Sequence, residues 1–377
     1  MYYLLSIVIP TKNRYETLIP LLEVISQYAS NELELVIQDN SDNNSLFLKY
    51  LKGKENPNIK YKYTKEWLSV GENCDKAILS SSGEYVSFIG DDDAFAPQII
   101  QIARIMKEKK VDSCNCDYVL YRWPTALGKN RNSYEYKTSF EITEFCDLKK
   151  KLKNTMSEGI QNKKGFPGVY HGIVRREILD KVFKTTGSFF PGPSPDMANA
   201  FSLALFIKKH INTSIPFIID GYSKASTGHL TEEKKHVGML EEQPFLPKDT
   251  VENWTKQLPQ IWLPNTIWPE SAIQALKRCG RTDMLKNINF NAVYIKISVM
   301  YPEYKSICRE LSQKYSSNFN YLKTYLIIGI KYVCNKIRLG KVKGKFIKNE
   351  ITIKEAIMKT SAIIDDNDMI SRFKDSF

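Results

Sequence analysis

Three adjacent carboxylates, Asp91-Asp92-Asp93, follow an apolar run at 85–89 and a glycine at 90. Like charges at such spacing repel one another, and Asp is a poor residue for a strand interior. Where a strand ends, they offer oxygen ligands to a hard cation such as Mg²⁺ or Mn²⁺, commonly held by one or two carboxylates plus substrate phosphates. A solvated acidic turn is the blander reading of the triplet taken alone. Upstream, Pro10, Thr11, Asn13 and Arg14 close one apolar run, and Asp39-Asn40-Ser41-Asp42 close another. Hydroxyl, amide and carboxylate groups at strand-to-helix turns suit recognition of a nucleotide. The same residue types also serve as helix caps and Asx-turns.

The elements that must position these residues alternate in pattern from residue 4 to about 123. Short apolar or alternating runs at 4–9, 33–38, 59–63, 85–89 and 114–121 predict strands. Between them, Leu18, Leu21, Leu22 and Ile25 fall at helical spacing, as do Ile99, Ile102, Ala103 and Met106. The stretch 70–82 predicts another helix, and Pro97 suits a helix start. Strands separated by helices imply an α/β fold with a mainly parallel, doubly wound sheet. Ligands of such sheets bind outside the carboxyl ends of the strands, which here carry Thr11, Asn13, Asp39, Asn40 and the Asp triplet. Residues 124–170 predict a loop-rich insertion with a Lys-rich helix (Phe145, Leu148, Leu152). A last strand-like run spans 215–219. From about 231 the alternation gives way to a mostly helical C-terminal region.

At 377 residues the chain is long for one average domain, and the expected division is 1–230 and 231–377. A formal charge of +12 favours an anionic partner. Seven cysteines without zinc-site spacing predict reduced thiols in a cytoplasmic protein. The apolar start up to Pro10 reads as a buried strand rather than a signal peptide, and no run of about 18 uncharged apolar residues occurs.

Four segments resemble glycosyltransferase family 2: Ser6-Ile-Val-Ile-Pro-Thr-Lys-Asn-Arg14, Leu35-Val-Ile-Gln-Asp-Asn-Ser-Asp42, Gly83-Glu-Tyr-Val-Ser-Phe-Ile-Gly-Asp-Asp-Asp93 and, more loosely, Pro193-Ser-Pro-Asp196. The likeness covers residues 4 to 230. It implies a GT-A, Rossmann-like fold and inverting transfer of a sugar from a nucleotide donor, UDP first among the candidates, with Mn²⁺ or Mg²⁺. The implied acceptor is a glycan or a lipid-linked molecule, in bacterial surface polysaccharide synthesis such as O-antigen or capsule. By the resemblance, Pro10 and Thr11 line the base pocket and Asp39 binds base and ribose. Asn13, Arg14 and Asn73 are candidates for phosphate or ribose contact. The triplet corresponds to a DXD-type metal site. Gly90 leaves its frame ambiguous: the direct metal ligand is Asp92 or Asp93, with Asp91 facing the ribose. Asp196, at the start of a helix-like run, is the candidate general base, with Asp180 and Asp220 as rivals. His229 is a candidate for completing the metal shell. His171 either binds the acceptor or packs.

The tail carries a different signal. Leu322, Leu326, Ile330, Val333 and Ile337 fall on one helical face, in a stretch rich in lysine. That pattern suits a helix lying on an anionic membrane surface, or an ordinary helix with a solvated basic face. Two other classes compete with a peripheral, cytoplasmic glycosyltransferase. A nucleotidyltransferase would carry a Gly-rich loop after the first strand, where this chain has Thr11-Lys-Asn-Arg14. A basic nucleic-acid-binding protein would show aromatic-interleaved cations, which this chain lacks.

Overall fold

The computed structural model describes residues 3–126, 131–137, 144–224, 226, 237–243, 250–338, 344–348 and 351–377. Strands β1 (Leu5–Thr11), β2 (Leu33–Asp39), β3 (Ile59–Tyr63) and β4 (Tyr85–Phe88) run parallel, with β1 between β2 and β4 and β3 beyond β2. Their apolar runs are continuous because both faces are covered. The pleat sends Leu5, Ile7 and Ile9 to one core, where they meet Leu18 and Leu21 of the helix Tyr15–Ile25. Val8 points the other way, into a second core with Ala77 and Ile78 of the helix Val70–Leu79.

The sheet continues with the two strands expected around 114–121 and 215–219 and with others that periodicity alone did not reveal. After the short β5 (Ala94–Phe95) come β6 (Ser113–Arg122), β7 (Ser133–Lys137), β8 (Glu144–Phe145), β9 (Gly172–Arg175) and β10 (His210–Tyr222). β9 is inserted antiparallel between β4 and β6. β10 runs parallel to β6 with a register shift between Thr213 and Ile218, and its far end pairs antiparallel with β5. A mostly helical region follows β10, as expected, including Pro264–Arg278, Phe290–Met300, Lys305–Tyr315 and Asn318–Arg338. The strand Gly344–Lys348 then returns to pair with β7. The helices Ile353–Asp366 and Met369–Asp375 place Ile357, Ile364 and Phe373 in the same core as β1 and β2. No described helix is long and apolar enough to cross a membrane.

One fully buried carboxylate fastens β2 to its neighbours. Glu34 accepts from the Ser6 hydroxyl at 2.6 Å and the Ser82 hydroxyl at 3.0 Å, and pairs with Lys60 at 2.6 Å. Burial alone would raise its pKa; the Lys60 and Ser6 contacts outweigh that and hold it below the usual value. A group whose native pKa is lowered stabilises the fold above its unfolded pKa, and that contribution fades as pH falls through the native value. Glu34→Ala is expected to cost about 3 kcal/mol in urea unfolding at neutral pH, by orphaning the donors that face it. The gap between variant and parent should narrow below about pH 4.

Candidate functional site

The carboxyl ends of β1, β4 and β10 converge on the Asp triplet. β4 ends at Phe88, and a turn follows in which the Gly90 amide donates to Asp93 Oδ2 at 2.7 Å. All three carboxylates are buried. Three negative charges out of water need compensation, and the chain divides that task. Arg14, just past β1, pairs with Asp91 at 2.9 Å and Asp92 at 2.6 Å. The Thr11 hydroxyl donates to Asp91 at 2.6 Å. Asp92 Oδ2 also accepts from the hydroxyls of Ser223 at 2.7 Å and Ser226 at 2.6 Å, beyond the end of β10.

Asp93 faces a different set of groups. Its Oδ1 accepts from the Gly221 amide at 2.8 Å, and its Oδ2 lies 2.7 Å from His171 Nε2 and 3.2 Å from the Tyr170 hydroxyl. Asp220 completes this side. Among the described residues, ligand atoms of Asp93, His171 and Asp220 lie within 4.8 Å of one another. Gly221 belongs to the same arrangement, because a Cβ there would overlap the Asp92 carbonyl.

The electrostatics follow from this partition. Burial pushes Asp91 up to about 7, with Arg14 opposing the rise. Burial and then the neighbouring Asp93 charge raise Asp92. Burial would raise Asp93 too, but the His171 charge and hydrogen bond, with the Gly221 and Gly90 amides, hold it low. Burial disfavours the His171 cation, yet Asp93 outweighs that and raises its pKa. Burial lifts Asp220 to about 6, against the pull of His171.

Two carboxylates and an imidazole, converging beside a buried, negatively charged triplet, fit a divalent cation of the Mn²⁺ or Mg²⁺ kind. Asp93, His171 and Asp220 are the residues that would hold it. Asp92, a candidate ligand by sequence, has its Oδ2 taken up by Arg14, Ser223 and Ser226. His229 lies outside the described residues.

The other expected residues occupy the loops around this cluster. Asp39 is fully buried. Its Oδ2 accepts from the hydroxyls of Tyr15 at 2.6 Å and Tyr61 at 2.8 Å, and its Oδ1 from the Ser41 amide at 2.8 Å. Asn13, at φ 57°, ties the loops after β1 and β2 together: its amide reaches Ser41 Oγ at 2.7 Å and its side chain exchanges bonds with Asp42. Pro10 pairs in register with Gln38 beside this loop. Asn73 donates to the Thr11 carbonyl at 3.3 Å, while its buried Oδ1 has no hydrogen-bond partner among the described residues. An orphaned buried acceptor next to the triplet suits a ligand hydroxyl.

Asp196 stands in the first turn of the helix Pro195–Phe206. The Ser194 hydroxyl (2.6 Å) and the Met197 amide (2.8 Å) donate to its Oδ1, and Lys163 pairs with its Oδ2 at 2.5 Å. Burial would raise its pKa; the Lys163 ammonium outweighs that and lowers it. Lys163 also lies 5.8 Å from the Tyr170 ring centroid and acts electrostatically on His171 and Asp220, linking Asp196 to the cluster. Asp180 is exposed and paired with Arg176 on its own helix, at 2.7 Å. Sequence reasoning left two members of the cluster in other roles, His171 as acceptor-binding or packing and Asp220 as a rival base. It overlooked Lys163 and Tyr170.

Residues 6–183 match the model of glycosyl transferase family 2, and this part of the chain belongs to that family. The matched residues run from β1 through β9 and include, in the cluster, the Asp triplet and His171. No curated protein sequence matches the chain. Among solved structures, S. aureus TarS in complex with UDP-GlcNAc aligns at a TM-score of 0.48 and 13% identity, over 93% of this chain and 97% of that one. The mannosyltransferase PcManGT from Pyrobaculum calidifontis, in complex with GDP-Man and Mn²⁺, aligns at 0.39 and 14% identity, over 98% and 88%. Glucosyl-3-phosphoglycerate synthase from Mycobacterium tuberculosis, in complex with phosphoglyceric acid, aligns at 0.40 and 12% identity, over 74% and 80%.

Calorimetric titration with MnCl₂ checks the cluster. Asp93→Asn and His171→Gln are each expected to weaken binding by about 10- to 100-fold. Asp42→Asn, in an exposed turn, should leave it unchanged. Unaltered affinity in both cluster variants would contradict the assignment.

Proposed function

We propose that the chain is an inverting glycosyltransferase taking its sugar from a nucleoside-diphosphate donor, with residues 1–230 as the catalytic unit. The observation that carries this reading is the convergence of Arg14, the Asp triplet, His171 and Asp220 at one rim of a mixed sheet. UDP is the base favoured by the family resemblance. The acceptor it favours is a glycan or a lipid-linked molecule at the cytoplasmic face of a bacterial membrane, in surface polysaccharide synthesis.

In this reading the loop after β1 and the Asn73 acceptor bind the ribose and diphosphate. Arg14 holds Asp91 and Asp92 in place, so that Asp93, His171 and Asp220 present their ligand atoms together. A divalent cation bound there supplies charge neutralisation for the departing diphosphate. Asp196 takes the proton of the acceptor hydroxyl as that oxygen attacks the anomeric carbon. Lys163 keeps Asp196 ionised, and with two donors on Oδ1 and one on Oδ2 the carboxylate retains a further lone pair to accept the proton.

Thermal denaturation with a panel of nucleotide sugars, each with and without Mn²⁺, tests the donor class. At a hundredfold excess over Kd, one partner should add about 2.7 kcal/mol of apparent stability. Indifference to every nucleotide sugar would sink the reading. For the base, Asp196→Asn should keep that stabilisation while kcat falls by about 10²- to 10⁴-fold. Near-normal turnover would move the role to another group.

A further inference from the structure

We infer that the outward face of the helix Asn318–Arg338 is a docking surface for an anionic lipid bilayer. The helix has two unlike sides. Inward, Tyr321 packs against the second core and the buried Thr324 accepts from Asn289 at 3.3 Å through its hydroxyl. Outward, Phe319 is 74% exposed, Leu322 58%, Leu326 56% and Ile330 64%. Residues 319, 322, 326 and 330 fall on one side of a 3.6-residue helix, so these side chains form a continuous apolar stripe. Val299 and Met300, at the end of the earlier helix Phe290–Met300, are exposed at 68% and 57%. Scattered exposed aliphatics are ordinary; a stripe of four large ones on one helix is the mark of an interaction surface.

Charge identifies the occupant. Between Glu310 and Glu350 the chain carries no carboxylate, and it carries nine cations: Lys314, Lys323, Lys331, Lys336, Arg338, Lys341, Lys343, Lys345 and Lys348. That segment supplies most of the net charge of +12. Lys323 is exposed on the stripe side, while Lys331 lies toward the packed side and pairs with Glu158 at 2.6 Å. A second copy of the chain across a two-fold axis would bring this unbalanced positive charge against itself. Nucleic acid would meet the cations but leave the aliphatic stripe in water. A bilayer containing anionic lipid satisfies both, taking the stripe into the headgroup–acyl boundary and the ammonium groups to the phosphates. The helix lies on such a surface, because it is not apolar enough to cross one. This surface deepens the proposed function by bringing the enzyme to a lipid-linked acceptor. Binding itself is read without any reaction, so the two readings fail separately.

The test is flotation of the full chain with vesicles of phosphatidylcholine alone and of phosphatidylcholine with phosphatidylglycerol. The chain should float with the anionic vesicles and be released by high salt. Lys323→Gln should lower the partition coefficient about fivefold. The double variant Leu326→Glu, Ile330→Glu should lower it by at least about tenfold at an unchanged melting temperature. Equal partition onto neutral and anionic vesicles, or unchanged partition of both variants, would overturn the proposal. So would a dimer in sedimentation that the double variant dissociates, in a chain that does not float.

Discussion

The structure depends on how three buried carboxylates in succession are kept from repelling the fold apart. One guanidinium cannot serve all three. Arg14 spans Asp91 and Asp92 at 2.9 and 2.6 Å, and the hydroxyls of Thr11, Ser223 and Ser226 complete their shells. Asp93 is left to backbone amides, Tyr170 and His171, with Asp220 close by. The result is a site in two parts. One part is held by Arg14 and three hydroxyls. The other retains negative charge and a nitrogen ligand, the donor set that a borderline or hard divalent cation prefers.

Each part is built by a feature of the sheet. The parallel strands β1 and β4 end side by side, which sets Thr11 and Arg14 beside the triplet. The antiparallel β9 begins at Gly172, so the two residues before it, Tyr170 and His171, are delivered to Asp93; His171 adopts φ 60°, a left-handed backbone conformation uncommon outside glycine. The end of β10 brings Asp220, and the absence of a side chain at Gly221 lets its amide approach Asp93. Strain and close packing thus concentrate where charge must be placed accurately.

The parallel part of this design was legible in the amino-acid sequence because its signals are local. Continuous apolar runs marked β1, β2 and β4, and polar residues at their ends marked the rim. β9 left little trace: four residues, Gly172 to Arg175, are too few to show a period. His171 and Asp220 meet Asp93 across long stretches of chain, and no spacing rule connects them. The environment of Asp39 was equally hidden, since its contacts come from Tyr15 and Tyr61, which a linear pattern assigns to a helix and an alternating strand. The C-terminal helices reverse the usual expectation of a separate tail: Ile357, Ile364 and Phe373 fill the core under β1 and β2, a role that an amphipathic pattern cannot distinguish from any other buried face.

The partition of charge would make His171 the nitrogen ligand of a cation held there, and that can be read spectroscopically. Pulsed EPR of bound Mn²⁺ detects the hyperfine coupling of a directly coordinated imidazole nitrogen. The account predicts such a coupling in the parent protein and its loss in His171→Gln. A bound Mn²⁺ without nitrogen coupling, or with a coupling that survives that substitution, would contradict it.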